Sequence, residues 1–230
     1  IFLTDYTPIR QSDRRVHPKL LPQVKQIIED WLEKGIISES TSPFKSQMVI
    51  VKKKDNTIRI AIDYRQVNAK TIRDAFPLPS IEELLDALKG ACWFSSMDLT
   101  QGYLNVPVHE DDRCITAFQA LEKLWQFNVS AFGLLNSGAA FCRLMHHALG
   151  DLKDIGGLIL FVDDILAYDT SIPAMMDKLE QIFMRLRAHG LKLKAKKCEF
   201  FKKEVAFLGH IVSSEGVKVN PDKITAIQAL

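Results

Sequence analysis

Apolar positions recur along this chain at two spacings, and the switches between them mark its elements. Pro18 opens a stretch with Leu20, Leu21, Val24, Ile27, Ile28, Trp31 and Leu32 on one helical face, and Gly35 ends it. Met48 to Lys52 then reads as a strand, Lys54-Asp55-Asn56-Thr57 as a turn, and Ile58 to Ile62 as the return strand. Alternation sets Ile58, Ile60 and Ile62 on one face of that strand and turns Arg59 to the open one.

Pro77 and Pro79 lead into a short helix carrying Ile81, Leu84, Leu85 and Leu88, stopped by Gly90. A strand from Trp93 to Leu99 places Asp98 near its end. Short strands are predicted over 106–108, 115–118 and 127–129, then a helix over 137–149 with Phe141, Leu144, Met145 and Ala148 on one side. Leu158 to Tyr168 reads as a strand, a tight Asp163-Asp164 turn and a second strand. Ser171 and Pro173 begin a helix with Met176, Leu179, Ile182, Phe183 and Leu186 inward and Gly190 as its stop. Strands are predicted again at 191–194, 205–208 and 211–212. Helices interspersed with hairpins give an α+β class, without repeats or low-complexity tracts.

Charge changes this picture only through its distribution. The formal net charge is +2 over 230 residues, so the balance itself names no partner. Lys52, Lys53 and Lys54 form one basic run, and a belt of Arg185, Arg187, Lys192, Lys194, Lys196, Lys197, Lys202 and Lys203 forms another. Such clusters can track phosphates, although a basic run alone is more often a solvated face. Cys92, Cys114, Cys142 and Cys198 lack metal-ligand spacing and read as reduced, mostly packed thiols. The longest apolar run, Leu158 to Val162, is strand-sized, so neither a signal peptide nor a membrane span is predicted. The chain opens on Ile1 and reaches Leu230 inside a helical pattern, which predicts a fragment of a longer protein.

The carboxylates carry the chemistry. Nucleotidyl transfer uses paired divalent cations roughly 3.5–4 Å apart, so its ligating carboxylates must converge. Magnesium favours oxygen donors, which Asp on rigid strands supplies. A hairpin tip with Asp163 and Asp164, joined by Asp98 from a neighbouring strand, fits that plan. An isolated Asp-Asp pair is more often a plain turn. Here it caps the apolar strand Leu-Ile-Leu-Phe-Val, where two adjacent carboxylates repel unless a cation joins them. Glu110-Asp111-Asp112, in a polar loop-like stretch, reads as solvated.

Six ordered landmarks span nearly the whole chain: Ile58-Arg-Ile-Ala-Ile-Asp-Tyr-Arg65 with Asn68; Phe76-Pro-Leu-Pro79; Ser96-Met-Asp-Leu99 with Gly102-Tyr103; Phe132-Gly-Leu134 with Asn136; Phe161-Val-Asp-Asp164; and Phe207-Leu-Gly-His210. In that order they resemble the reverse transcriptase of gypsy-type (Metaviridae) long-terminal-repeat retrotransposon Pol polyproteins, and more distantly the retroviral enzymes. The resemblance implies a right-hand polymerase with fingers at 1–72 and 106–136. It implies a palm at 73–105 and 137–212, built as an antiparallel sheet backed by helices, with only the start of a thumb or connection at 213–230.

By that resemblance Asp98, Asp163 and Asp164 are catalytic and hold two Mg2+ ions, with Mn2+ able to substitute. Arg59 and Lys53 contact the incoming triphosphate, the choice among Lys52, Lys53 and Lys54 staying open. Tyr103 blocks a ribose 2′-hydroxyl, Phe132 and Gly133 line the nucleotide pocket, and Leu208, Gly209 and His210 form the primer grip. The implied function is RNA-directed DNA polymerisation from dNTPs on an RNA or DNA template with a DNA primer. The implied setting is cytoplasmic, in a virus-like particle, alongside the RNase H, integrase and protease of a Pol polyprotein. Asn105, Gln47, Gly138 and Phe161 depart from the family's usual Gln, Pro, Pro and Tyr. These changes leave a second reading, a decayed or domesticated relative that binds nucleic acid without efficient catalysis. A palm-type RNA polymerase is disfavoured by Tyr103, since a small residue there would admit ribonucleotides.

Overall fold

The computed structural model describes residues 1–52, 57–77, 79–100 and 102–219. Along the chain run α1 (Leu21–Glu33), β1 (Ile37–Glu39), β2 (Gln47–Lys52), β3 (Ile58–Asp63), α2 (Arg65–Lys70), α3 (Ile81–Ala87), β4 (Trp93–Asp98), α4 (Glu110–Arg113), β5 (Phe118–Ala120) and β6 (Lys123–Phe127). They continue as α5 (Ser137–Ile155), β7 (Leu158–Phe161), β8 (Asp164–Asp169), α6 (Ile172–Ala188), β9 (Glu199–Lys202), β10 (Glu204–Phe207), β11 (His210–Ser213) and β12 (Gly216–Val219). The chain divides into two compact units, residues 1–75 with 103–141 and residues 76–102 with 142–230.

The first unit is organised around the β2–β3 hairpin and the sheet β1-β6-β5. Ile58, Ile60 and Ile62 are buried, and their alternation leaves Arg59 exposed. They pack with Val24 and Ile28 of α1 and with Tyr64, Ile115, Phe118 and Phe127. Only part of the expected α1 face is covered, for Leu21 and Leu32 remain exposed. Tyr64 is fully buried, and its hydroxyl donates to the Thr116 carbonyl at 2.8 Å. That bond satisfies a polar group which would otherwise be costly inside a core.

The second unit holds the four-stranded antiparallel sheet β7-β8-β4-β9 and the meander β10-β11-β12. Phe94, Ile159 and Leu166 of the larger sheet share a core with Leu84 of α3, with Leu88 at its C-cap, and with Val205, Phe207 and Val212. α3 starts on a reciprocal capping box between Ser80 and Glu83. α6 starts at Ser171, whose hydroxyl accepts from the Ala174 N–H.

The inward face of α6 differs from the expected one. Met175, Leu179, Ile182 and Leu186 are buried, whereas Met176 and Phe183 are exposed. Two adjacent methionines satisfy a helical period almost equally, and the helix turns on the register that includes Met175. Three expected strands are also absent. Residues 106–108 and 191–194 make only isolated bridges, Pro107 to Val129 and Leu99 to Leu193, and Pro107 has no N–H to extend a ladder. Residues Cys114–Thr116 form a 3-10 turn, with the strand beginning at Phe118. The strand predicted at 127–129 ends at Phe127 instead of starting there. The acidic stretch 110–112 is the first turn of α4, where carboxylates suit the helix dipole. The expected turn at 54–57 and the terminal helical pattern fall largely or wholly outside the described residues.

Candidate active site

β4 carries Asp98 to its last position, directly opposite Asp164 at the start of β8. β7 and β8 form a hairpin in which Phe161 pairs with Asp164, so the two loop residues are Val162 and Asp163. The turn is therefore Val162-Asp163, one residue earlier than expected, and Asp164 belongs to the strand. Val162 adopts φ +51°, a conformation that two-residue hairpins commonly give to glycine. A β-branched residue held there stores about 1–3 kcal/mol of strain. The buried run Leu158–Leu160 and its partner run Ile165–Ala167 hold the hairpin in place. Behind it the buried Cys142 of α5 has the Val162 N–H directed at its sulfur, and burial raises that thiol's pKa.

The electrostatics are those of like charges held together. Asp163 is raised above the usual carboxylate range by lost hydration and then by the charge of Asp98. Asp164 is raised by lost hydration, then by Asp163 and Asp98. Lys197 opposes both shifts, and its ammonium lies 2.7 Å from Asp98 Oδ2. Among the described residues, no group of three His, Cys, Asp or Glu side chains stands as a ready cation cage. Asp98 directs a carboxylate oxygen to Lys197 instead. The donor set nevertheless fits a hard divalent cation, since three carboxylates offer only oxygen and the charge of Asp98 raises both hairpin acids.

Asp98 and Asp164, but not Asp163, line a cleft of about 400 Å³ together with Ser96, Lys197, Phe207 and Leu208. Phe207 pairs with His210, leaving Leu208 and Gly209 as a two-residue loop with φ of +47° and +80°. Of the three expected primer-grip residues, Leu208 lines this cleft, whereas Gly209 and His210 are outside its lining.

The first unit carries the second group of expected site residues. The Arg59 guanidinium lies 4.8 Å from the Phe132 ring centre, a stacking that fixes a flexible cation. Tyr103 meets Phe132 and Phe141 edge-on at 5.3 and 5.6 Å. Gly133, at φ +95°, sits where an added Cβ would come 3.5 Å from the Ile62 carbonyl oxygen. Two asparagines clamp this loop. Asn68 donates to the Gly133 carbonyl at 2.7 Å and accepts from the Leu135 N–H at 2.8 Å. Asn136 donates to the Ile72 carbonyl and accepts from the Asp74 N–H. Lys53 lies outside the described residues. The sequence assigned no role to Asn68, Asn136, Cys142 or Lys197; the asparagines stood among the landmarks and Lys197 in a basic belt.

Residues 51–212 match the family described as reverse transcriptase (RNA-dependent DNA polymerase), and the chain belongs to that family. Among curated proteins it is 36% identical over 210 residues to the retrovirus-related Pol polyprotein from transposon 297 of Drosophila melanogaster, covering 89% of this chain and 20% of that one. The Pol polyprotein from transposon gypsy of the same fly is 33% identical over 213 residues, 90% of this chain and 20% of that one. The chain thus spans about a fifth of these relatives' length.

Among solved structures, the foamy viral protease-reverse transcriptase in complex with double-stranded DNA superposes at TM-score 0.88 and 27% identity, over 99% of this chain and 40% of that one. Its complex with an RNA/DNA hybrid gives TM-score 0.87 at 27% identity, over 98% of this chain and 30% of that one. The α+β fingers-and-palm architecture implied by the sequence is therefore the observed fold. Among the described residues no helix is long and apolar enough to cross a membrane.

Proposed function

We propose that this chain is the fingers and palm of an RNA-directed DNA polymerase, which extends a DNA primer from dNTPs on an RNA or DNA template. The observation that carries this reading is Asp98 facing Asp164 across β4 and β8, with Asp163 beside them on a strained hairpin tip. Asp98, Asp163 and Asp164 would hold two Mg2+ ions, or Mn2+ in their place. Reverse transcriptases generally use divalent metal ions, which when bound offset phosphate charge and favour attack by the primer 3′-hydroxyl.

The chain's other groups bind and orient. Arg59 and Lys53 would neutralise the triphosphate, a role suited to cations on a hairpin. Tyr103 would exclude a 2′-hydroxyl by bulk, Phe132 and Gly133 would line the nucleotide pocket, and Leu208, Gly209 and His210 would steady the primer end. Fingers would comprise residues 1–72 and 106–136, the palm 73–105 and 137–212, and a thumb or connection would begin at 213. The foamy viral relatives' complexes with double-stranded DNA and RNA/DNA hybrid support nucleic acid as the partner. The relatives are Pol polyproteins of which this chain spans about a fifth; neighbouring protease, RNase H and integrase domains and a cytoplasmic, particle-associated setting belong to the same proposal.

A primer-extension assay with an RNA template, a DNA primer, dNTPs and Mg2+ tests this. Template-directed incorporation is expected, and Asp98→Asn should abolish it. Failure of the folded wild-type protein to extend the primer in either Mg2+ or Mn2+ would sink the proposal.

A further inference from the structure

Asp98 is bound to the segment that follows α6 at two levels. Its carbonyl accepts from the Lys194 N–H at 2.8 Å, and the Lys194 carbonyl accepts from the Lys197 N–H at 2.8 Å. The 3-10 turn Ala195–Lys197 therefore hangs from the residue whose carboxylate Lys197 then meets at 2.7 Å. Lys197 shares a cleft with Asp98 and Asp164, and its charge acts on all three acids of the cluster. One ammonium thus offsets part of three converging negative charges.

The pair is built to exchange. Side-chain exposure is 55% for Lys197 and 27% for Asp98, so solvent screens the pair and its net contribution is small. A lysine ammonium is a strongly hydrated point charge on a flexible stem, without the fixed fork by which arginine grips a carboxylate. A doubly charged ion attracted by all three carboxylates can displace it from Asp98.

We propose that Lys197 is an internal counter-ion of the carboxylate cluster, competing with divalent cations for Asp98 and so setting the cluster's metal affinity. The proposal rests on the metal-binding reading of Asp98, Asp163 and Asp164 given above. It makes Lys197 a positioning residue whose effect is visible in binding, without any turnover.

Mn2+ is the probe, titrated into the 230-residue chain with free ion followed by electron paramagnetic resonance. Lys197→Met keeps the aliphatic stem and removes the charge; it should tighten Mn2+ binding about two- to fivefold, the range set by an exposed ion pair. Lys197→Arg keeps the charge and adds the fork, and should bind Mn2+ no more tightly than the wild-type chain does. Lys192→Met, which removes a nearby charge in the same basic belt, should leave affinity unchanged. Unchanged or weaker binding by Lys197→Met overturns the proposal while leaving the metal site standing, as does equal tightening by Lys192→Met. A wild-type chain that binds no Mn2+ overturns both together.

Discussion

Asp98 and Asp164 stand directly opposite one another on antiparallel strands, two carboxylates paired where a sheet ordinarily avoids like charge. Asp163 adds a third, and both hairpin acids hold their protons above the usual carboxylate range. A carboxyl whose folded pKa is raised favours the fold while protonated and loses that contribution as pH rises. The window runs from the ordinary value of 3.8 up to the raised folded values. Asp163→Asn should therefore stabilise the protein at neutral pH by about 0.2–1 kcal/mol, the scale of an interaction between solvent-exposed charges. The advantage should vanish as pH falls towards 4. Thermal melts of both proteins across that range decide it, and an advantage that persists at low pH would refute the electrostatic origin.

A tight glycine lies next to the same hairpin. Gly157 precedes β7 with φ +79°, and a Cβ there would fall 1.6 Å from Lys178 Nζ and 2.8 Å from the Tyr168 carbonyl oxygen. Lys178 donates to that carbonyl and to Asp169 at 3.0 and 2.7 Å. Gly157→Ala must expel the ammonium and strain the backbone, and should cost about 2 kcal/mol or more. Gly150→Ala is the control, a helical position with nothing near the added methyl, and should be neutral or stabilising by up to about 1 kcal/mol. Denaturant midpoints of the two variants should move in opposite directions or differ by that margin.

The loop clamp separates binding from chemistry. Asn68 makes one hydrogen bond to the Gly133 carbonyl and one from the Leu135 N–H, fixing the segment that presents Phe132. Asn68→Ala should lower stability by about 1–3 kcal/mol through these lost bonds. Under the polymerase reading it should raise KM for dNTPs more than it lowers kcat, since no carboxylate is touched. Steady-state primer extension measures both constants. A loss confined to kcat would contradict the clamp's assigned role.

Much of this site was legible because its parts are local and ordered. Arg59 faces outward by simple alternation, and Asp98 ends a strand whose apolar pattern is plain. What stayed hidden depends on packing at a distance. Val162 at φ +51° runs against its own conformational preference, so no local rule moves the turn from Asp163-Asp164 to Val162-Asp163. The alternating Leu-Lys-Leu-Lys of 191–194 mimics a strand yet finds only one bridging partner, Leu99. Lys197 stands in a run of similar lysines, and only its 2.7 Å contact with Asp98 singles it out. The sequence pattern admits Met176 and Phe183 on the inward face because an amphipathic period has a free phase, which packing fixes on Met175 and Ile182.

Tyr103 is held by two aromatic neighbours, Phe132 and Phe141, and this sets how its proposed role as a sugar gate is tested. Tyr103→Ala removes a ring from an edge-on pair of contacts and should cost about 1–3 kcal/mol through lost packing and aromatic interaction. A fall in total activity is therefore uninformative by itself. The ratio of kcat/KM for ribonucleotides to that for deoxynucleotides cancels any loss of folded enzyme. That ratio should rise about tenfold or more for Tyr103→Ala, the scale of removing a steric block worth about 1.4 kcal/mol. It should stay at the wild-type value for Tyr103→Phe, which keeps the ring and its edge-on contacts with Phe132 and Phe141. An unchanged ratio in Tyr103→Ala, measured on protein shown to be folded, removes Tyr103 from sugar selection and leaves it as a packing residue beneath Phe132.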